Sequence, residues 1–204
     1  TEATAWASKG HTVARCQVQL STPRPGLLNT FKPSDQTAIN VSEDLKSICV
    51  AFGDQQEICL DKIAGWINQW RVNGQDILLD PLSLNIWRAP TDNDLQVAKE
   101  WFLDGLDRTH ANPETIEWDQ NSDHVQINVK GVLASDGNKP HSRYTLAYDF
   151  HTGGILDIHL EYIPVNFLTR LPRLGFKSRL HPDYEHVTWF GRGPHESYAD
   201  RKDS

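Results

Sequence analysis

Alternation of apolar and polar positions with a period of two runs through most of the chain from Ala38 onward. Ser47 to Phe52 places Ile48, Val50 and Phe52 on one face, and Glu57 to Ile63 returns across Gly53-Asp54-Gln55-Gln56. Gly65 to Val72 follows, and Asn73-Gly74 is a strong type I′ hairpin signal before Asp76 to Leu79. Leu84 to Trp87 reads as a further short strand leading into the polar stretch that follows. Later, Val125, Ile127 and Val129 alternate with His124, Gln126, Asn128 and Lys130. Tyr144, Leu146, Tyr148 and Phe150 alternate with Arg143, Thr145, Ala147 and Asp149; Leu156, Ile158, Leu160 and Tyr162 alternate with Asp157, His159 and Glu161. These patterns predict antiparallel strands with one buried and one solvated face.

Two stretches depart from this period. Leu95, Val97, Ala98, Trp101, Phe102 and Leu106 fall on one stripe at helical spacing, which predicts a short helix capped by Asp92 or Asn93. Near the start, His11 to Leu20 reads as a strand, and Ser21-Thr22-Pro23-Arg24-Pro25-Gly26 ends it, because proline cannot donate to a ladder. Residues 1–22 are therefore expected to be a terminal strand region of another domain, 23–37 a linker, and 38–204 the main domain. The expected class is all-β, a large sandwich with one short helix.

Composition narrows the function classes. A formal net charge of −7 without a basic stripe argues against a nucleic-acid partner. No apolar run approaches the roughly 18 residues that would span a membrane. The chain begins Thr-Glu-Ala, contains no Met and stops at Lys-Asp-Ser, so it reads as an excised piece of a longer protein. Of three cysteines, Cys49 and Cys59 flank the Gly53 turn. A four-residue loop would oppose Phe52 to Glu57 and Val50 to Cys59, placing the two thiols on opposite faces. Reduced cysteines and a cytoplasmic location are the expectation.

The densest chemistry lies in Trp87-Arg88-Ala89-Pro90-Thr91-Asp92-Asn93-Asp94 and, far downstream, in Trp189-Phe190-Gly191-Arg192-Gly193-Pro194-His195-Glu196-Ser197-Tyr198-Ala199-Asp200-Arg201. Arg can grip a carboxylate or vicinal diol with two parallel donors, and Trp offers a flat face to a sugar ring. The plainer alternative is that Arg88 and Asp92 pair with each other or cap the following helix, and that the second stretch is an internal salt-bridge network. Asp92 and Asp94 project from one short loop, whereas a glycosidase acid and nucleophile must flank the scissile bond, roughly 5 to 9.5 Å apart. No metal-ligand spacing, phosphate loop or nucleophile elbow is present.

Those two stretches resemble the two signature segments of the C-terminal small-chain domain of glycoside hydrolase family 2 β-galactosidases. Leu171-Pro172-Arg173-Leu174-Gly175 resembles a third, the Gly65 to Leu79 hairpin matches the one preceding the first signature, and Trp6 to Leu20 resembles the last strand of the preceding immunoglobulin-like domain. The resemblance implies a galactose-mutarotase-like β supersandwich, of which residues 38–204 would be the N-terminal part. It implies β-galactoside hydrolysis by a parent whose two catalytic glutamates lie in a separate barrel, so that this chain alone is inactive. It places no cofactor in this chain, and any Mg or Na ions of the parent in other domains. Arg88, Asp92, Asn93, Asp94 and Gln96 become candidates for shaping the substrate pocket; Trp87, Arg192, Glu196, Asp200 and Arg201 become structural or interface residues. Galactosides and the remaining parent domains are the implied partners, and a truncated sandwich with open strand edges is expected to self-associate. Two departures are Ala199, where the family often has Pro, and the stop at Ser204. The alternative reading is a stand-alone carbohydrate-binding or aldose-epimerase-like protein, with His159 and Glu161 sharing a face but His195 and Glu196 pointing apart on a strand.

Overall fold

The computed structural model describes residues 3–12, 38–122, 124–136, 140–165 and 170–188. They divide between two compact units: residues 3–12 and 185–188 belong to one, and residues 38–184 to the other. In the first, Thr4 and Ala7 form an isolated antiparallel bridge, and Trp6 meets His11 edge to face. The expected strand from His11 to Leu20 lies outside the described residues except for its first two, which are irregular.

The second unit is an all-β supersandwich with one short helix among the described residues. Five strands, β1 (Ile39–Glu43), β2 (Ser47–Phe52), β3 (Gln56–Asp61), β4 (Ile67–Val72) and β5 (Gln75–Asp76), form an antiparallel meander. A second antiparallel sheet holds β7 (Thr109–Gln120), β8 (His124–Ser135), β9 (Ser142–His151) and β10 (Ile155–Pro164), in that order from one edge to the other. A short ladder joins β6 (Ser83–Asn85) to β11 (Gly175–Lys177). The inward rows of the two larger sheets make the core: Ile48, Val50, Phe52, Ile58 and Leu60 from one, and Val125, Ile127, Val129, Leu146, Tyr148 and Phe150 from the other. Aromatic pairs tie the layers, with Phe52 and Phe150 centroids 6.3 Å apart and Trp66 stacked on Tyr144 at 5.6 Å.

The hairpin signal at Asn73-Gly74 is realised with both residues at positive φ, 50° and 79°, as a type I′ turn requires. The strand β7 carries no clean alternation in the sequence. A bulge between Pro113 and Thr115 shifts its register, so Ala111 and Pro113 share a face with Ile116 and Trp118 only through the extra residue. Pro113 is tolerated because β7 ends its sheet among the described residues.

Two expectations are corrected. The turn after β2 has three residues, not four, with Gly53 at φ 57°; Phe52 therefore opposes Gln56, and Cys49 directly opposes Cys59. The two are joined in a disulfide, with Cα atoms 4.1 Å apart. The helical stripe resolves into a 3-10 turn (Asp92–Asp94), the helix α1 (Ala98–Leu103) and a second 3-10 turn (Leu106–Arg108). Thr91, not Asp92 or Asn93, caps the first turn, because Asp94 at its third position reaches back to the Thr91 N–H. Gly105, in the left-handed region at φ 71°, separates α1 from the second turn.

Candidate carbohydrate-facing site

The first signature leaves β6 and enters α1, and its path is fixed by side chains on both sides. Buried Asn85, at the end of β6, donates from Nδ2 to the Trp87 carbonyl at 2.9 Å. The Trp87 indole packs edge-on against Trp101 and Phe102 of α1, at 6.3 and 5.3 Å between centroids. Trp101 is itself buried and donates from Nε1 to the Arg170 carbonyl at 2.7 Å. The signature thus lies in an aromatic cradle built by its own helix.

Arg88 and Asp94 close the loop. The guanidinium donates to Asp94 Oδ2 at 2.5 Å and Oδ1 at 3.0 Å, the two-pronged geometry that suits Arg and a carboxylate. Its Nε donates to the Pro172 carbonyl at 3.0 Å, and its Cζ sits 5.5 Å from the Trp101 ring centre. Asp94 also accepts from the Thr91 N–H at 2.7 Å and the Thr91 hydroxyl at 3.0 Å. The Arg88 and Thr91 donors hold the Asp94 carboxyl well below the usual carboxylate range, against an opposing push from burial. With 7% of its surface exposed and both oxygens engaged, Asp94 stays ionised and serves the loop rather than a proton transfer.

The side chains that leave this frame are Asp92, Asn93, Leu95 and Gln96, all exposed, Leu95 to 74%. They present a carboxylate acceptor, two amides able to donate and accept, and one apolar branch, a set able to bond sugar hydroxyls. The ion pair joins Arg88 to Asp94 instead of Asp92. The third resemblance segment enters through its backbone, since the Pro172 carbonyl is the Arg88 acceptor. The sequence pattern marked Trp101 only as part of the helical stripe and Pro172 only as part of the third resemblance segment, and it did not mark Asn85 at all, although the Thr91-x-x-Asp94 capping pattern was there to find. Arg192, His195, Glu196, Asp200 and Arg201 lie outside the described residues. Among the described residues, no group of three or more His, Cys, Asp or Glu is placed to hold a metal ion.

Residues 52–204 match the family model for the β-galactosidase small chain. A β-galactosidase of Actinobacillus pleuropneumoniae is 31% identical over 167 residues, which cover 82% of this chain and 16% of that protein. Those of Psychromonas ingrahamii and Priestia megaterium are 30% and 29% identical, covering 96% and 98% of this chain and 20% and 19% of theirs. The chain thus spans no more than about a fifth of the length of these relatives. With the family model covering most of its length, this chain belongs to the β-galactosidase small-chain family.

Proposed function

We propose that this chain acts as a segment of a β-galactosidase that cleaves terminal β-D-galactosides, and that it shapes the sugar pocket and holds domains together while the catalytic glutamates reside elsewhere in the parent. The observation that supports this most is the Arg88–Asp94 clamp. It spends the buried carboxylate of Asp94 on holding the loop that carries Asp92, Asn93 and Gln96, which leaves that carboxylate engaged on both oxygens and unsuited to act as acid or nucleophile. Galactosides and the remaining parent domains are its partners. The outer strand β10, which ends its sheet among the described residues, is an edge through which copies associate when those domains are missing.

The test is hydrolysis of a chromogenic β-galactoside by the chain alone and mixed with a parent enzyme lacking this segment. Activity only in the mixture supports the reading. Turnover by the chain alone that survives repurification overturns it.

A further inference from the structure

Asn73-Gly74 is the one Asn-Gly step in the sequence, and it forms the tip of the β4–β5 hairpin. Both residues are exposed, and a Cβ built on Gly74 would meet nothing within 4 Å. Among the described residues, no hydrogen bond engages the Gly74 N–H or the Asn73 side-chain amide; the tip is held by the Asn73 N–H, which donates to the Gln55 carbonyl at 2.6 Å. An open cleft of about 260 Å³, lined by Asp54, Gln55, Glu57, Arg71 and Gly74, brings solvent to one side of the turn. The strand that follows is only two residues long, and both are exposed. Besides the ladder, β5 is held to β4 by the Arg71–Asp76 ion pair at 3.4 Å, a Gln69–Asp76 hydrogen bond at 3.2 Å and the Ile77 N–H to the Trp70 carbonyl at 2.7 Å. Exposed pairs of this kind add little, so the tip opens locally without disturbing the core.

We propose that Asn73 is a site of spontaneous deamidation and isomerisation. Local opening of the hairpin lets the Asn73 ψ leave its turn value. The Gly74 nitrogen, unhindered by any side chain, loses its proton to solvent and bonds to Asn73 Cγ. The Cγ–Nδ2 bond breaks, the amide nitrogen leaves as ammonia, and a five-membered succinimide remains. Water then opens that ring. Cleavage of the new bond to Cγ gives aspartate; cleavage of the old peptide bond gives isoaspartate, with the chain continuing through Cγ. The balance is one water taken up and one ammonia released. The two products differ in structure. Aspartate before glycine suits the same type I′ turn, so the hairpin survives. Isoaspartate adds a methylene to the main chain, which displaces β5 and releases its Val72–Gln75 and Arg71–Asp76 pairs. The proposal concerns this hairpin alone and does not rest on the β-galactosidase reading.

Ageing the full chain in warm, mildly alkaline buffer, followed by peptide mass spectrometry, tests it. The peptide carrying Asn73 is expected to lose its unmodified form and gain the mass of an amide-to-acid conversion. An isoaspartyl methyltransferase should then methylate that peptide. Asn121, exposed before Ser122, is the internal comparison: its side chain is held by His124 Nδ1 at 3.1 Å, and it should convert later. In the isoaspartate fraction, the Ile77 amide should lose its protection from hydrogen exchange. Asn73→Asp keeps the turn and should remove the mass gain. The proposal is overturned if Asn73 stays intact in the folded chain while it converts in urea, if another asparagine converts first, or if the mass gain persists in Asn73→Asp. Unchanged Ile77 protection in the isoaspartate fraction overturns it as well.

Discussion

Arg88 and Asp94, six residues apart, face each other through two parallel hydrogen bonds of 2.5 and 3.0 Å, and the same guanidinium reaches the Pro172 carbonyl in a distant segment. The pair turns a short polar loop into a rigid one. Arg88→Lys keeps a charge but cannot make the fork and the third bond together, so it is expected to lower the melting temperature and raise hydrogen exchange at Thr91. Asp94→Asn is expected to do the same. The Asp94 carboxyl is depressed by Arg88 first and by the Thr91 N–H second. The unfolded chain therefore binds a proton that the folded chain refuses once the pH drops below about 4, the ordinary Asp value. The contribution is complete above that pH and fades as acid is added. Acid melts of wild type and Asp94→Asn should converge toward low pH; a constant gap down to pH 3 would contradict the assignment.

Gly131, in β8, opposes Pro113 at the bulge of β7. A Cβ there would lie 2.6 Å from both the Asn112 carbonyl and the Tyr144 hydroxyl. One of these partners is backbone and the other belongs to a buried ring, so neither moves freely. Gly131→Ala is expected to cost about 1–3 kcal/mol by overpacking. Chemical denaturation should show a lower midpoint with an unchanged slope.

How much of this was legible differs by element, for physical reasons. The strands β9 and β10, and β8 as far as Lys130, set one face inward against a more polar one, so a period of two reveals them directly; from Gly131 to Ser135 β8 is buried on both faces, and no alternation marks it. In β7 the bulge at Pro113 and Thr115 breaks that period midway, and charged residues line its outer face, so no alternation marks it. The first signature was legible as a place but not as a mechanism. Arg88 was recognisable as an anchor, whereas the choice of Asp94 over Asp92 depends on the Thr91 cap, which turns the third residue of the turn back toward the chain. The Cys49 register failed on a single residue: Gly53 admits a tighter loop than the one assumed, and one step of register exchanges the faces of every residue in β3.

The Cys49–Cys59 disulfide joins directly opposed residues of β2 and β3, with nine residues between them. Its closure restricts the unfolded chain, an effect of about 2–3 kcal/mol for a loop this short. Reduction by a dithiol, or Cys49→Ser, is therefore expected to lower the melting temperature by about 4–12 °C for a chain of this size. Alkylation followed by intact mass should label these two cysteines only after reduction. Labelling of both in the native, unreduced chain would show that they are free thiols.

His141 sits buried just before β9, with Thr109 Oγ1 3.3 Å from Nε2 and Ser142 Oγ 3.3 Å from Nδ1. Burial pushes its imidazole below the ordinary value, Asp104 pulls it partly back, and His110 adds to the depression. Because the folded state holds the neutral ring, the unfolded chain gains a proton first as pH falls through about 6.5, and stability declines from there down to the folded value. Stability is expected to be insensitive to His141 above pH 7 and to fall progressively toward pH 5. His141→Gln keeps hydrogen-bonding capacity without a titrating ring and is expected to flatten that part of the profile, at some cost in packing that is constant with pH. Thermal melts of both proteins from pH 5 to pH 8 separate the two effects: a constant offset reports packing, and a gap that narrows with acid reports the proton. Parallel profiles across the whole range would show that His141 takes up its proton as readily in the fold as outside it.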